Sequence, residues 1–161
     1  ELLYILEKGY CKEILIKTIN FTKKSAQKFH FNYHKKPVSS YQEPLEYLYE
    51  PNAAVLKSGA FHEISTQLNI FKLHQHSHLY TSKKRIEFPG REFKIIAVLP
   101  YDKKQILKLL PNKKANITIR NFHKTVAQIR KELKIKDGGD IFLFFTTNIH
   151  NKFICMYCKK L

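Results

Sequence analysis

No apolar run in this chain approaches the roughly 18–20 residues that a membrane-crossing helix needs. No signal peptide opens it, because Glu1 is followed by a mixed apolar and charged segment. Three cysteines in 161 residues are too few, and odd in number, for a disulfide framework. They point to a reducing compartment, so the expected location is the cytoplasm. An initiator Met is missing, as it would be in a segment of a longer protein. Acidic residues are also scarce, with 13 Asp and Glu against 29 Lys and Arg, a net charge of +16. What is present suffices for a core: 43% hydrophobic and 13% aromatic residues exclude a disordered tail.

The charge is unevenly spread. Residues 1–50 hold eight Lys/Arg and six Asp/Glu, whereas residues 51–161 hold twenty-one and seven, a net of +14. Excess of this size favours association with polyanions, whose condensed counterions are released when Lys and Arg replace them.

Residues 1–9 read as the end of a helix closed by Gly9, and 12–20 and 28–36 alternate as half-buried strands around a loop at 22–27. Pro37 to Pro44 has the composition of a linker. Pro51 suits a helix first turn, and spacing predicts a helix over 51–69 that buries Ala53, Leu56, Ala60, Phe61, Ile64 and Leu68. Gly59 weakens it by roughly 1 kcal/mol. A strand over 91–101 ends at Pro100, and Asp102 with Gln105 has capping-box spacing for a helix over 102–110, ended by Pro111. Strand 115–120 leads to helix 125–135, where Thr125 and Gln128 repeat that spacing. Gly138 and Gly139 turn the chain into strand 140–147, and strand 152–159 closes it. The fold class is α/β (α+β).

Three constellations carry candidate chemistry. His74, His76 and His78 would face one side of a strand and suit Zn²⁺ or Ni²⁺ only if it curved, since same-face neighbours stand roughly 6–7 Å apart. No metal site is expected of them, and no carboxylate clusters nearby to make a stand-alone metal enzyme. Cys155 and Cys158 have Cys-x-x-Cys spacing, but residues three apart on a strand point to opposite faces, so buried structural thiols are expected. The third is a basic surface: Lys113, Lys114, Arg120, Asn121, Lys124, Arg130, Lys131, Lys134 and Lys136. Its alternatives are phosphate contact without sequence readout and a merely solvated helix face. Phe122, with His123 beside it, either stacks on an unpaired base, worth about 1–3 kcal/mol, or anchors the turn in the core.

The run ANITIRNF at 115–122, then a helix ending ELKIKDGGDIFLFFTT, resembles the THUMP-like domain at the C-terminus of bacterial class I S-adenosylmethionine-dependent RNA methyltransferases. YEPNAAVLKSGAF (49–61), LHQHSHLYTS (73–82) and FPGREFKIIAVLPYDKK (88–104) extend the resemblance in the same order. It implies the tail of a methyltransferase domain at 1–9, a small ferredoxin-like subdomain and linker at 10–44, and a THUMP-like domain at 45–161. Arg120, Asn121, Phe122, Lys136, Asp137, Gly138 and Gly139 match the family blocks, while His123-Lys124 stands where Pro-Leu is expected.

The resemblance raises the question of a cofactor. No two of the five glycines have Gly-x-Gly spacing, and no Asn-Pro-Pro-Tyr segment occurs, so no cofactor site or catalysis is expected in this chain itself. S-adenosylmethionine is implied for the parent protein only. The implied partners are structured RNA (tRNA or rRNA) and, in cis, the missing catalytic methyltransferase domain, with no membrane. The expected role is an auxiliary RNA-binding region; the alternative is a structural domain that completes the catalytic domain without touching RNA.

Overall fold

A computed structural model describes residues 3, 5–23, 25–33, 37–110 and 112–161. Two strands near the start, β1 (Leu15–Phe21) and β2 (Ala26–Asn32), pair antiparallel with Thr18 opposite Phe29 and Ile16 opposite Phe31. Alternation puts these four residues on one side, where Phe29 and Phe31 enter a core with Tyr49, Val55, Ala60, Ile64 and Tyr80. Leu15, Ile19 and Phe21 face outward and are exposed. The helix tail read over 1–9 does not form among its described residues: 3 and 5–7 are irregular, Lys8-Gly9 is a turn, and 1, 2 and 4 lie outside the described set. The strand read to residue 36 ends at Asn32, with 34–36 outside that set.

The remaining strands form one seven-stranded sheet. They are β3 (Tyr47–Pro51), β4 (Phe71–Lys72), β5 (Tyr80–Ser82), β6 (Gly90–Pro100), β7 (Asn116–Arg120), β8 (Ile141–Thr147) and β9 (Phe153–Lys160), in the order β4-β5-β3-β6-β9-β8-β7. The pair β7–β8 is parallel, and a bulge in β6 between Ile95 and Ala97 leaves Ile96 exposed.

The helix predicted over 51–69 is two helices, α1 (Ala53–Ser58) and α2 (Glu63–Gln67). Pro51 ends β3 instead of opening a helix, and Asn52 caps α1 by accepting the Val55 N–H. Gly59, at φ +76°, takes the left-handed conformation that terminates α1, so its cost is not an interior weakening but a stop. Of the six residues expected in this core, Ala60 and Ile64 are buried, Leu56, Phe61 and Leu68 are half-buried, and Ala53 is exposed; Val55 is buried in its place. The later elements follow the sequence closely. Asp102 accepts the Gln105 N–H to start α3 (Lys103–Leu109), and Thr125 and Gln128 form both halves of a capping box for α4 (Val126–Leu133).

Helices α3 and α4 cover one face of β7–β9, enclosing Ile106, Leu110, Ile129, Leu133, Phe145 and Cys155. The other face gathers Leu48, Leu73, Leu79, Phe93, Phe144, Met156 and Cys158. Cys155 and Cys158 thus lie in different cores on opposite faces, and burial pushes both thiols up. The sheet also coils on itself. Glu50 on β3 and Arg120 on β7 are four strands apart, roughly 19 Å in a flat sheet. Their side chains nevertheless meet at 2.6 Å.

Candidate nucleic-acid interface

The nine residues of the predicted basic surface, with Phe122 beside them, are distributed between the two ends of β7 and along α4. Lys113, Lys114, Lys134 and Lys136 gather where β7 begins and α4 ends. Backbone bonds knit this end together: Lys136 N–H donates to Lys113 O at 2.8 Å, and Ala115 N–H to Lys136 O at 3.0 Å. Lys113 and Lys134 both take left-handed backbone (φ +46° and +53°), which turns their side chains out of the elements. All four are exposed, as is Lys131 on α4, and none of the five makes an ion pair among the described residues.

Three of the predicted cations are committed to the fold. Arg130 is half-buried, bonds Asp137, and donates to the carbonyls of Ala115 (3.3 Å) and Ile135 (3.4 Å). It braces the Lys-Asp-Gly-Gly turn, whose glycines stand at φ +93° and +83°. Lys124 pairs with Glu132 at 2.6 Å and lies over the Tyr101 ring. The bond to Glu132 holds the ammonium above its ordinary range. Arg120 meets Glu50, which is only 3% exposed and also accepts from Arg91 Nε at 2.7 Å. The 2.6 Å contact between Arg120 and Glu50 Oε1 lacks the angle of a hydrogen bond, so that pair holds by charge alone.

At the other end, the chain leaves β7 through Asn121, Phe122 and His123. With Ile119, Arg120, Thr147 and Phe153 they line a shallow pocket of about 510 Å³. It opens at the carboxyl end of the parallel pair, where ligands of α/β sheets collect. Phe122 is half-buried against Tyr101 (5.2 Å) and Phe145 (5.6 Å), so it anchors the core as well as walling the pocket. The rings that meet solvent are His123 and Phe153, 4.2 Å apart at 41°. Two residues before the His123-Lys124 pair that stands where Pro-Leu is expected, Asn121 makes the turn with φ +50°, and the Thr147 hydroxyl donates to its backbone carbonyl at 2.6 Å.

Phe153, Thr147 and Glu50 escape a sequence reading. Phe153 looks like the first residue of an ordinary strand, and only the fold of β9 against β8 brings it to His123.

The histidine triplet does not sit on a strand. Residues 73–79 form a turn between β4 and β5, where the His74 and His76 rings stay 5.5 Å apart while His78 stacks elsewhere. His74 is buried and bridges to the pocket, with Nδ1 3.0 Å from Asn121 Nδ2 and Nε2 3.1 Å from Asn151 Oδ1. His78, left-handed at φ +50°, stacks on Phe61 at 3.8 Å. Burial, with Lys72, His76, Arg120 and His62 around it, lowers its pKa to about 4. Among the described residues no three His, Cys, Asp or Glu side chains converge as a metal site. Among the described residues no helix is long and apolar enough to cross a membrane.

Residues 47–89 match a ferredoxin-like domain family and residues 90–160 a THUMP domain-like family. The ferredoxin-like match lies downstream of the 10–44 segment read for it, because β3, α1, α2, β4 and β5 all fall within 47–89 and residues 15–32 hold only the separate hairpin. No curated protein matches the sequence. A crystal structure described as a "putative methyltransferase" from Porphyromonas gingivalis W83 is similar, at 32% identity and a TM-score of 0.81. The match covers 91% of this chain but 38% of that one, so this chain spans well under half of that protein's length. Residues 47–160 are therefore a ferredoxin-like domain followed by a THUMP-like domain, the two sharing one seven-stranded sheet.

Proposed function

We propose that this chain is the auxiliary RNA-binding part of an S-adenosylmethionine-dependent RNA methyltransferase, holding structured RNA while a catalytic domain in cis does the chemistry. The observation that carries this reading is the exposed cluster of Lys113, Lys114, Lys131, Lys134 and Lys136 on the THUMP-like unit. The nearby Asp137 carboxylate is taken by Arg130, so it does not neutralise the lysines. Cations presented this way bind phosphate oxygens and position a nucleic acid without reading its sequence. The methyl donor belongs to the other part of the protein in this reading. Gly59 caps a helix, Gly90 opens a strand, and Gly138-Gly139 lead from helix to strand, so none forms the strand-to-helix loop a nucleotide-like cofactor uses.

Anisotropy titrations with labelled tRNA and an equal-length DNA duplex test it at two salt concentrations. Five phosphate contacts to unpaired RNA give a log–log salt slope of roughly −3.5. Charge reversal at Lys113, Lys114, Lys134 and Lys136 is expected to remove most of that slope and the tRNA preference. Reversal at Arg130 is a poor probe, because it also unpins the 137–139 turn. Equal binding to RNA and DNA, erased by salt in both, defeats the proposal.

A second reading has its own observation. Leu15, Ile19 and Phe21 on the outer face of the hairpin, with Leu3, Ile5 and Leu6 before it, are exposed apolar side chains, Phe21 at 83%. On the hairpin they share the outer face with Lys17, Lys28 and His30, and exposed apolar side chains of this size suit packing against the catalytic domain. On this reading Ile19→Ser/Phe21→Ser leaves the stability of this chain unchanged and weakens its association with that domain. The two readings concern different surfaces and can both hold.

A further inference from the structure

We propose that the pocket at the end of β7 receives one unpaired nucleobase, stacked on Phe153 and His123 and read at its edge by the Asn121 side-chain oxygen, Oδ1. This rests on the RNA-binding reading above and adds to it a ligand class and a positioning residue, His74.

The argument begins with a bond whose direction is beyond choice. The backbone N–H of His76 donates to His74 Nδ1 at 3.1 Å. That nitrogen is therefore a lone pair, and the neutral ring carries its proton on Nε2. Two assignments follow. Nε2–H donates to Asn151 at 3.1 Å, so Asn151 presents its oxygen there. The Asn121 amide, 3.0 Å from the same Nδ1, must present its NH2 group. A flipped amide would set two acceptors against each other. Asn121 Oδ1 is thereby turned away from His74, and no hydrogen bond reaches it among the described residues. The Thr147 hydroxyl pins the backbone of the same residue, and the contact of Nδ2 with His74 orients the side-chain amide.

The pocket thus offers one fixed acceptor beside two solvent-facing rings. Phe153 is 42% exposed although it opens a strand whose next three residues are buried. A planar, aromatic ligand with an N–H on its edge satisfies both features, and an unpaired base is that ligand. A base inside a duplex is not, because both faces and its pairing edge are already occupied. The lysine cluster lies at the far end of β7, so it holds phosphates and leaves the pocket to the base.

The test uses four RNA hairpins of equal phosphate count: one with a bulged adenosine, one with bulged purine riboside (no N–H on the base), one with a bulged abasic site, and one fully paired. The adenosine bulge should bind about tenfold tighter than the abasic one, the lower end of a base–aromatic stack. Purine riboside should fall between them. Phe153→Ala should close the gap between purine riboside and the abasic site. Asn121→Gly, which suits the positive φ, should close the gap between adenosine and purine riboside and leave the other. His74→Phe should act like Asn121→Gly although it lies outside the pocket, and a stability scan with each variant separates this from unfolding. Reversal of the four lysines should weaken all four hairpins equally. If the four bind alike, the pocket inference falls and backbone capture stands. If none binds above a DNA control, both fall.

Discussion

Glu50 is the residue on which the two domains depend on each other, and Glu50→Gln measures how much. The carboxylate sits on the ferredoxin-like strand β3, and its two cationic partners, Arg91 and Arg120, belong to the THUMP-like unit. Breaking a buried ion pair by removing one partner costs about 3–5 kcal/mol. Here the arginine side chains are 43% and 38% exposed, so water compensates part of the loss, and about 2 kcal/mol is the better figure. In a chain of this length that lowers the melting temperature by about 4–8 °C. The assay is a thermal scan of the single variants Glu50→Gln and Arg120→Met and of the pair. Coupling should exceed the roughly 0.5 kcal/mol scatter of independent sites and persist in high salt, because one partner is buried. Additive effects of the two substitutions would mean that the 2.6 Å contact contributes nothing and the sheet coils for other reasons.

Acid should destabilise the fold through His78. Its folded pKa of about 4 lies below the ordinary 6.5, so the neutral-ring stability is whole above pH 6.5 and is lost as pH falls toward 4. The loss is on the order of 2 kcal/mol after allowance for partial exposure. Unfolding midpoints of His78→Asn, which tolerates the left-handed backbone, should be flatter over that window, and an unchanged slope would refute the assignment. Gly90→Ala should cost about 3 kcal/mol in urea titration. The added Cβ would stand 2.1 Å from the Glu50 carbonyl oxygen, a backbone atom that cannot step aside. A cost under 1 kcal/mol would show that β3 shifts freely.

The sequence was most legible where chain neighbours decide the structure. The Thr125 capping box, the Gly138-Gly139 turn and the alternation of β8 are local rules, and each lies within two residues of its expected place. It was least legible where distant segments decide. The 51–69 helix has good periodicity, but Gly59 obeys the left-handed stop and not the interior rule, and nothing local distinguishes the two. The histidine triplet alternates like a strand, yet β4 stops at Lys72, whose buried ammonium donates to the Gln75 carbonyl at 3.2 Å and favours a turn. For the site, the lysines were legible as charge. The loss of Arg120, Lys124 and Arg130 to ion pairs was not, because Glu50, Glu132 and Asp137 reach them from 70, 8 and 7 residues away.

That last difference bears on what the basic surface can do. Charge counted along the chain treats eight cations as one interface, whereas the fold leaves five exposed and ties three into ion pairs. On the proposed RNA-binding reading, the exposed lysines supply affinity that any polyanion shares, and the residues around Asn121 offer identity without much charge. Arg120 lines the pocket while its guanidinium is held by Glu50, so the pocket wall is tied to the ferredoxin-like unit. Glu50→Gln should therefore reduce the preference for a bulged adenosine over an abasic site and leave the salt slope of RNA binding unchanged. A variant that loses slope and preference together would show one continuous electrostatic surface, and the division of labour argued from the structure would fail.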